Sequence, residues 1–331
     1  MIRFDEQKQI ESVEGALALR PKIESIVDEC QGEGFKNLCY IGIGGTWASG
    51  LQAVCHLKEY TENEVFCLNA AEYLATGDKR VGEGTVMVFS SVTGTTVEIV
   101  EAVKKAKKDK AKVIGFIDKA DCELVKMVDY CITYPANEQL KFFMVADRFL
   151  KIWGERDDYD LLYKELELYL PKGLVEVAKK ADSFGEEFAN KHHKDPMHYF
   201  LGAGALYGAT YSYAMCFWEE QHWLRSKSIH SAEFFHGMLE IVDRDTPVTV
   251  FIGEDSQRNV GLRVEKFLPN ICDNYTIIDT KDYPIEGLSE KFRGDISHLI
   301  MRTVTGRIDC YIEKLNNHDM SIRRYYRKFE Y

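Results

Sequence analysis

Along the first 135 residues, apolar positions come in short unbroken runs, and stretches with apolar residues three or four apart separate them. The runs are "NLCYIGIGG" (37–45), "EVFCLNA" (64–70), "GTVMVFSS" (84–91), "KVIGFID" (112–118) and "YCITYP" (130–135). Their length and unbroken apolar character predict strands buried on both faces. Residues 13–30, residues 46–60, "AEYLAT" (71–76) and the amphipathic "TVEIVEAVKKAKKDK" (96–110) predict helices. Strands alternating with helices define a parallel sheet covered on both sides, a doubly wound α/β domain.

The pattern then changes and returns. Residues 138–193 read as helical, punctuated by "DDYD" and "PKG". "MHYFLGAGA" (197–205) predicts a strand, followed by a long helix to about residue 224. "PVTVFIG" (247–253) and "YTIIDT" (275–280) predict strands around a helix over 256–269, and a helix over 295–317 closes the series. "CYIGIGGTWASG" (39–50) and "HYFLGAGALYGA" (198–209) each run from a strand through a G-x-G turn into a helix. The matched order of elements after both predicts an internal duplication, with a first domain over 1–155 and a second over 156–331.

Composition narrows the function. The chain has 331 residues, enough for two domains, and 45% hydrophobic with 29% charged residues suits a globular protein with ample core. A net charge of −11 argues against a general nucleic-acid or anionic-membrane surface, because both need clustered Lys and Arg. A local pocket for a small anion remains open. No apolar run approaches the ~18 residues of a membrane span, and "MIRFDEQKQI" has no apolar signal core. Nine cysteines occur singly without a CxxC pair, and Cys39, Cys67, Cys131 and Cys216 sit in apolar segments. They read as small buried hydrophobes of a reducing compartment. The expected location is the cytoplasm.

In an open α/β sheet, ligands bind beyond the carboxyl ends of the strands. Two first-half loops end there, "GIGGTW" (42–47) and "SSVTGTT" (90–96). Gly44 and Gly45, with Thr46 after them, permit close backbone approach at a helix start, where free N–H groups favour an anion. "GIGG" is not the dinucleotide fingerprint G-x-G-x-x-G, and no GK[ST] of a Walker loop occurs. The second loop crowds five hydroxyls around Gly94. Ser91, Thr93 and Thr96 can each donate to a phosphate oxygen while loop N–H groups add further donors. The plainer reading is a helix cap, but a cap needs one hydroxyl.

"SSVTGTTVE" closely resembles the S-x-[ST]-G-x-T phosphate loop of the sugar isomerase (SIS) domain family, and "IGIGGT" looks like that family's first glycine loop. The resemblance implies two SIS domains in one chain, each a five-stranded parallel sheet with flanking helices, and a phosphosugar ligand. Residues 204–242, ending "SAEFFHGMLEIV", are similar to the fructosamine and fructoselysine 6-phosphate deglycases. The terminal "RRYYRKFEY" looks like their "RRY…VEY" end. Trp47 stands where relatives usually carry Ser, and Met238 replaces a usual Pro, which bears on the shape of the sugar pocket.

The resemblance implies a deglycase that reverses an Amadori product. A proton moves between C1 and C2 of an open-chain 6-phosphorylated ketosamine, and the resulting imine hydrolyses to glucose 6-phosphate and an amine. One carboxylate can serve two adjacent carbons, and a histidine can both give and take a proton near neutrality. By resemblance Glu220 is the base, selected over Glu219 by its register to "FFHG", and His236 is the acid/base. The plainer readings are a solvated helix carboxylate and a loop histidine. In relatives that histidine reaches the neighbouring subunit, so a homodimer with shared active sites is implied. Glu233 orients the loop, while His230 and Glu138 are candidate substrate contacts. His192 and His193, in "NKHHKD", read as solvated. The substrate's own amine carries the electrons, so no metal or redox cofactor is expected. The alternatives are a glucosamine-6-phosphate deaminase, a Heyns-product deglycase, an aldose–ketose isomerase, and a non-catalytic phosphosugar sensor.

Overall fold

A computed structural model describes residues 1–329; the last two residues of the "RRYYRKFEY" terminus lie outside the described residues. The chain forms two compact units, one of Gln7–Pro171 and the other of Met1–Glu6 with the chain from Lys172 onward. The division falls at Pro171, inside a long helix.

The first unit opens with helices α1 (Glu6–Leu17) and α2 (Arg20–Gly32) and then alternates strand with helix. Its elements are β1 (Asn37–Gly42), α3 (Gly45–Leu57), β2 (Val65–Asn69), α4 (Ala70–Thr76), β3 (Thr85–Ser91), α5 (Val97–Lys108), β4 (Lys112–Ile117), β5 (Tyr130–Ile132) and α6 (Glu138–Ile152). All strand pairs are parallel, in the order β2-β1-β3-β4-β5. Every residue of β1 and β3 is buried, which explains unbroken apolar runs in place of alternation. On one face Phe89, Ile99, Val103 and Val113 form the core between sheet and helices. Beneath α3, His56 Nε2 lies 2.8 Å from Asp147 Oδ1, and the same carboxylate meets Arg156 at 3.2 Å and the Tyr163 hydroxyl at 2.8 Å. Burial pushes the Asp147 carboxyl up, but the Arg156 and His56 charges and the hydrogen bonds hold it below its ordinary value.

Helix α7 (Tyr159–His192) leads into β6 (His198–Gly202), α8 (Ala205–Ser212), β7 (Ser226–His230), β8 (Val248–Ile252), α9 (Arg258–Phe267), β9 (Tyr275–Asp279) and α10 (Ser297–Asn316). The second sheet is also parallel, in the order β7-β6-β8-β9. The order repeats that of β2-β1-β3-β4, so the duplication extends to the topology. This sheet has four strands where five were expected. After β9, Thr280–Asp282, Glu290–Phe292 and Gly294–Ile296 form single 3-10 turns where a fifth strand would lie.

Two further elements depart from the expectation. The helix predicted to about 224 is α-helical only to Ser212, and Tyr213–Glu219 is wound as a π-helix. Strand β7 was not anticipated, because "SKSIH" carries a single apolar residue, Ile229, and pairs only at the sheet edge. Among the described residues no helix is long and apolar enough to cross a membrane.

Candidate active site

In the first unit, β1 runs into a tight turn. Gly44 adopts φ +61°, a left-handed conformation that side chains resist, and precedes α3. Thr46 closes the turn: its hydroxyl oxygen accepts from the Ile43 N–H at 3.1 Å and donates to the Ile43 carbonyl at 3.0 Å. A Cβ on Gly42 would lie 2.4 Å from the Trp47 backbone nitrogen, so α3 starts hard against the strand end. Trp47 is half-buried in the first turn of that helix.

Strand β3 ends in the hydroxyl loop. Ser91 is buried and its oxygen accepts from the Gly94 N–H at 3.0 Å, so the hydroxyl proton remains available to donate. Thr93 accepts from the Thr95 N–H at 3.3 Å and the Thr95 hydroxyl at 3.0 Å. Gly94 has φ +66°, and a Cβ there would meet the Cys122 sulfur at 2.3 Å. Thr96 is the N-cap of α5 but makes no side-chain cap hydrogen bond. The hydroxyls therefore shape the loop instead of sealing the helix start, which leaves that end suited to an anion. Strands β1 and β3 are neighbours, and the helices after them lead to opposite sides of the sheet, to β2 and to β4. Their loops thus flank the crevice where doubly wound sheets bind ligands.

Glu138 joins the two loops. It opens α6 directly after Ala136 (φ +58°) and Asn137 (φ +52°), a left-handed pair without glycine and a local source of strain. Burial pushes its carboxyl up, opposed by hydrogen bonds to Ser49 of α3 and Ser90 of β3. Lys141, fully buried one turn later, donates to the Tyr134 carbonyl at 2.7 Å and lies 3.7 Å from Asp118. Sequence reasoning missed Ser49, Lys141 and Asp118, which no motif marks.

The second unit supplies the acidic and histidine candidates. Glu219 ends the π-helical segment and Glu220 follows it, and the Glu220 N–H reaches back five residues to Met215 at 3.0 Å. Such segments recur at functional sites because they rephase side chains. Both carboxylates line a cavity of about 720 Å³ together with Asp195, Trp223, Arg323 and Tyr325. The two differ: Glu219 accepts from the Ser226 hydroxyl of β7 at 3.3 Å, and burial pushes its carboxyl up. Glu220 accepts from Arg323 Nε at 2.7 Å.

His230 ends β7, packs at a tilt against Tyr207 with ring centroids 4.9 Å apart, and accepts the Ala232 N–H on Nδ1 at 3.1 Å. Burial pushes its imidazole down. His236 closes a single 3-10 turn, is exposed, and is not among the residues lining the Glu220 cavity. Met238 beside it is buried in the sheet core, where the residue serves packing.

The expectation that His192 is solvated is overturned. His192 and His198 are buried and place Nδ1 atoms 2.7 and 2.9 Å from one oxygen of Asp195. His198 Nε2 lies 2.8 Å from the Thr249 hydroxyl. This is the one cluster of metal-ligand type among the described residues; its members hydrogen-bond to one another, and His192 Nε2 is buried without a hydrogen-bond partner. Burial pushes the His198 imidazole down to about 4.

Residues 35–148 match the SIS domain family. The matched residues lie within the first unit. Over 94% of its length it is 23% identical to fructosamine deglycase of Bacillus subtilis, covering 97% of that protein. It is 22% identical to fructoselysine 6-phosphate deglycase of Escherichia coli, with 92% of this chain and 90% of that one aligned. A solved Bacillus subtilis structure assigned to the phosphosugar isomerases superposes with TM-score 0.89 at 22% identity, over 96% of this chain and 99% of that one.

Proposed function

We propose that the protein is a phosphosugar deglycase that cleaves a 6-phosphorylated ketosamine to glucose 6-phosphate and a free amine. The phosphate is held by Ser91, Thr93, Thr96 and loop N–H groups, with Gly44, Gly45 and Thr46 forming the neighbouring turn. Glu138 and His230 contact the sugar or its amine. Glu220 takes the proton from C1 and returns it to C2. The pair that bonded this hydrogen to C1 becomes the C1–C2 double bond of an enaminol. Protonation at C2 leaves a C1 imine, and water then adds at C1 and expels the amine. His236 protonates or deprotonates the sugar oxygens, and its exposure suits action on a second copy of the chain in a homodimer. Each step uses general acid–base chemistry, which contributes ~10²–10⁴-fold.

The observation carrying this reading is a carboxylate, Glu220, set at the wall of a cavity in a chain whose first unit offers a hydroxyl-lined anion loop. Fructoselysine 6-phosphate should yield lysine and glucose 6-phosphate, followed by chromatography of the products. Glu220→Gln should lower turnover by about 10³ while the thermal melt stays within a few degrees of the parent. A Glu220→Gln protein with parental turnover would remove the assignment. Release of ammonia or a ketose phosphate alone would move the reaction to the deaminase or isomerase alternatives.

A further inference from the structure

The segment after α10 returns to the turn that carries Glu220 and grips it at three successive points. His318 Nε2 lies 2.9 Å from the Gln221 carbonyl, and its ring packs at a tilt of 44° against Trp223, with centroids 4.0 Å apart. The Arg324 guanidinium also lies over Trp223, 4.0 Å from the ring centroid. Between these contacts Arg323 donates from Nε to Glu220 Oε1 at 2.7 Å. Trp223 has φ +60°, so the turn it ends is not one the local backbone prefers, and outside contacts must hold it.

Arg323 is itself held. Its Nη1 donates to the Met320 carbonyl at 2.6 Å and to the Ile322 carbonyl at 3.1 Å. Lys328 Nζ donates to the Arg323 carbonyl, which ties the following turn to the same point. A planar guanidinium fixed at two nitrogens is a rigid partner. The paired carboxylate therefore loses much of the freedom that a glutamate side chain otherwise keeps. Only one oxygen is engaged: among the described residues Oε2 has no hydrogen-bond partner, while the side chain lines the cavity.

We propose that Arg323 is a positioning residue for Glu220. It pins Oε1 and thereby aims Oε2 at the substrate, and the clasp formed by His318, Arg323 and Arg324 sets the turn in which this happens. The inference rests on Glu220 being the base. A base that serves two adjacent carbons must be placed closely, and a misplacement of ~1 Å costs on the order of 10²-fold. The half-buried ion pair adds little to stability in itself, since solvent still reaches and screens it. Its effect is on geometry.

The test compares Arg323→Gln, Arg323→Lys and Glu220→Gln with the parent on fructoselysine 6-phosphate. Arg323→Gln should lower kcat by about 10- to 100-fold with KM within threefold. Guanidinium ion added to the assay should restore part of the rate, and Arg323→Lys should retain more rate than Arg323→Gln. Independently of any substrate, amide exchange over residues 220–224 should quicken in Arg323→Gln. Unchanged kcat, a loss confined to KM, or no rescue by guanidinium or lysine overturns the positioning role while leaving the base in place. Unchanged exchange overturns the clasp. Turnover by Glu220→Gln removes the base and this inference with it.

Discussion

The two units repeat one strand order and one glycine turn, yet they treat the start of the following helix oppositely. Gly44 and Gly204 both precede their helices at φ +61°. In the first unit the loop after β3 presents hydroxyls. In the second, the loop after β8 is "GEDSQ", and its own side chains reach the glycine turn. Asp255 accepts the Ala205 N–H at 3.1 Å, and Gln257 accepts the Gly204 N–H at 3.1 Å. A Cβ on Gly204 would overlap the Asp255 carboxylate at 2.2 Å. An anion-binding turn stays open when neutral donors line it, and it is filled when a carboxylate is built in. One topology thus yields a hydroxyl-lined turn in one unit and a self-satisfied turn in the other.

The largest effect that would break this comparison is at the open loop. Replacing Ser91 by Ala and Thr93 by Val removes two donors to a doubly charged ester, each worth ~1.5–3 kcal/mol. Phosphosugar affinity should fall by about 100-fold or more, read by calorimetry, with the fold retained. Parental affinity would place the anion elsewhere.

A smaller effect separates the units by pH. His198 stays neutral when folded down to about 4, whereas in the unfolded chain it takes a proton near its ordinary 6.5. Between those values the unfolded state binds more protons, so stability declines as pH falls through this window. At pH 5 this one residue removes about 2 kcal/mol relative to pH 7. The first unit's Asp147 sits below its ordinary value, so its contribution persists until more acid conditions. Hydrogen exchange at pH 5 should therefore rise first in the second unit, and equal rises in both would contradict this account.

The smallest effect is at the filled turn. Asp255→Ala should cost about 1 kcal/mol, seen as a lower urea midpoint. Inorganic phosphate should then raise the midpoint of this variant more than that of the parent. Equal responses would mean that the turn cannot take an anion even when emptied.

Much of this was legible in the chain. Buried parallel strands must be apolar on both faces, so β1, β3, β4 and β8 announced themselves, and so did the glycine turns and the hydroxyl loop. Strand β7 did not, because an edge strand exposes its polar residues and "SKSIH" has no hydrophobic period. The π-helical winding before Glu220 left no mark, since α and π turns draw on the same residue types. His192 looked like part of a charged string, and its burial depends on Asp195 and the neighbouring ring of His198.

By itself the sequence determined the alternation of strands and helices, the duplication, and the concentration of hydroxyls at one loop, because these depend on local patterning and on backbone freedom at glycine. Tertiary structure decided which glycine turn stays open, which of two adjacent glutamates meets an arginine, and where Glu138 finds its serines. Those outcomes need side chains far apart in the chain to meet within hydrogen-bond distance, and no local pattern encodes such a meeting.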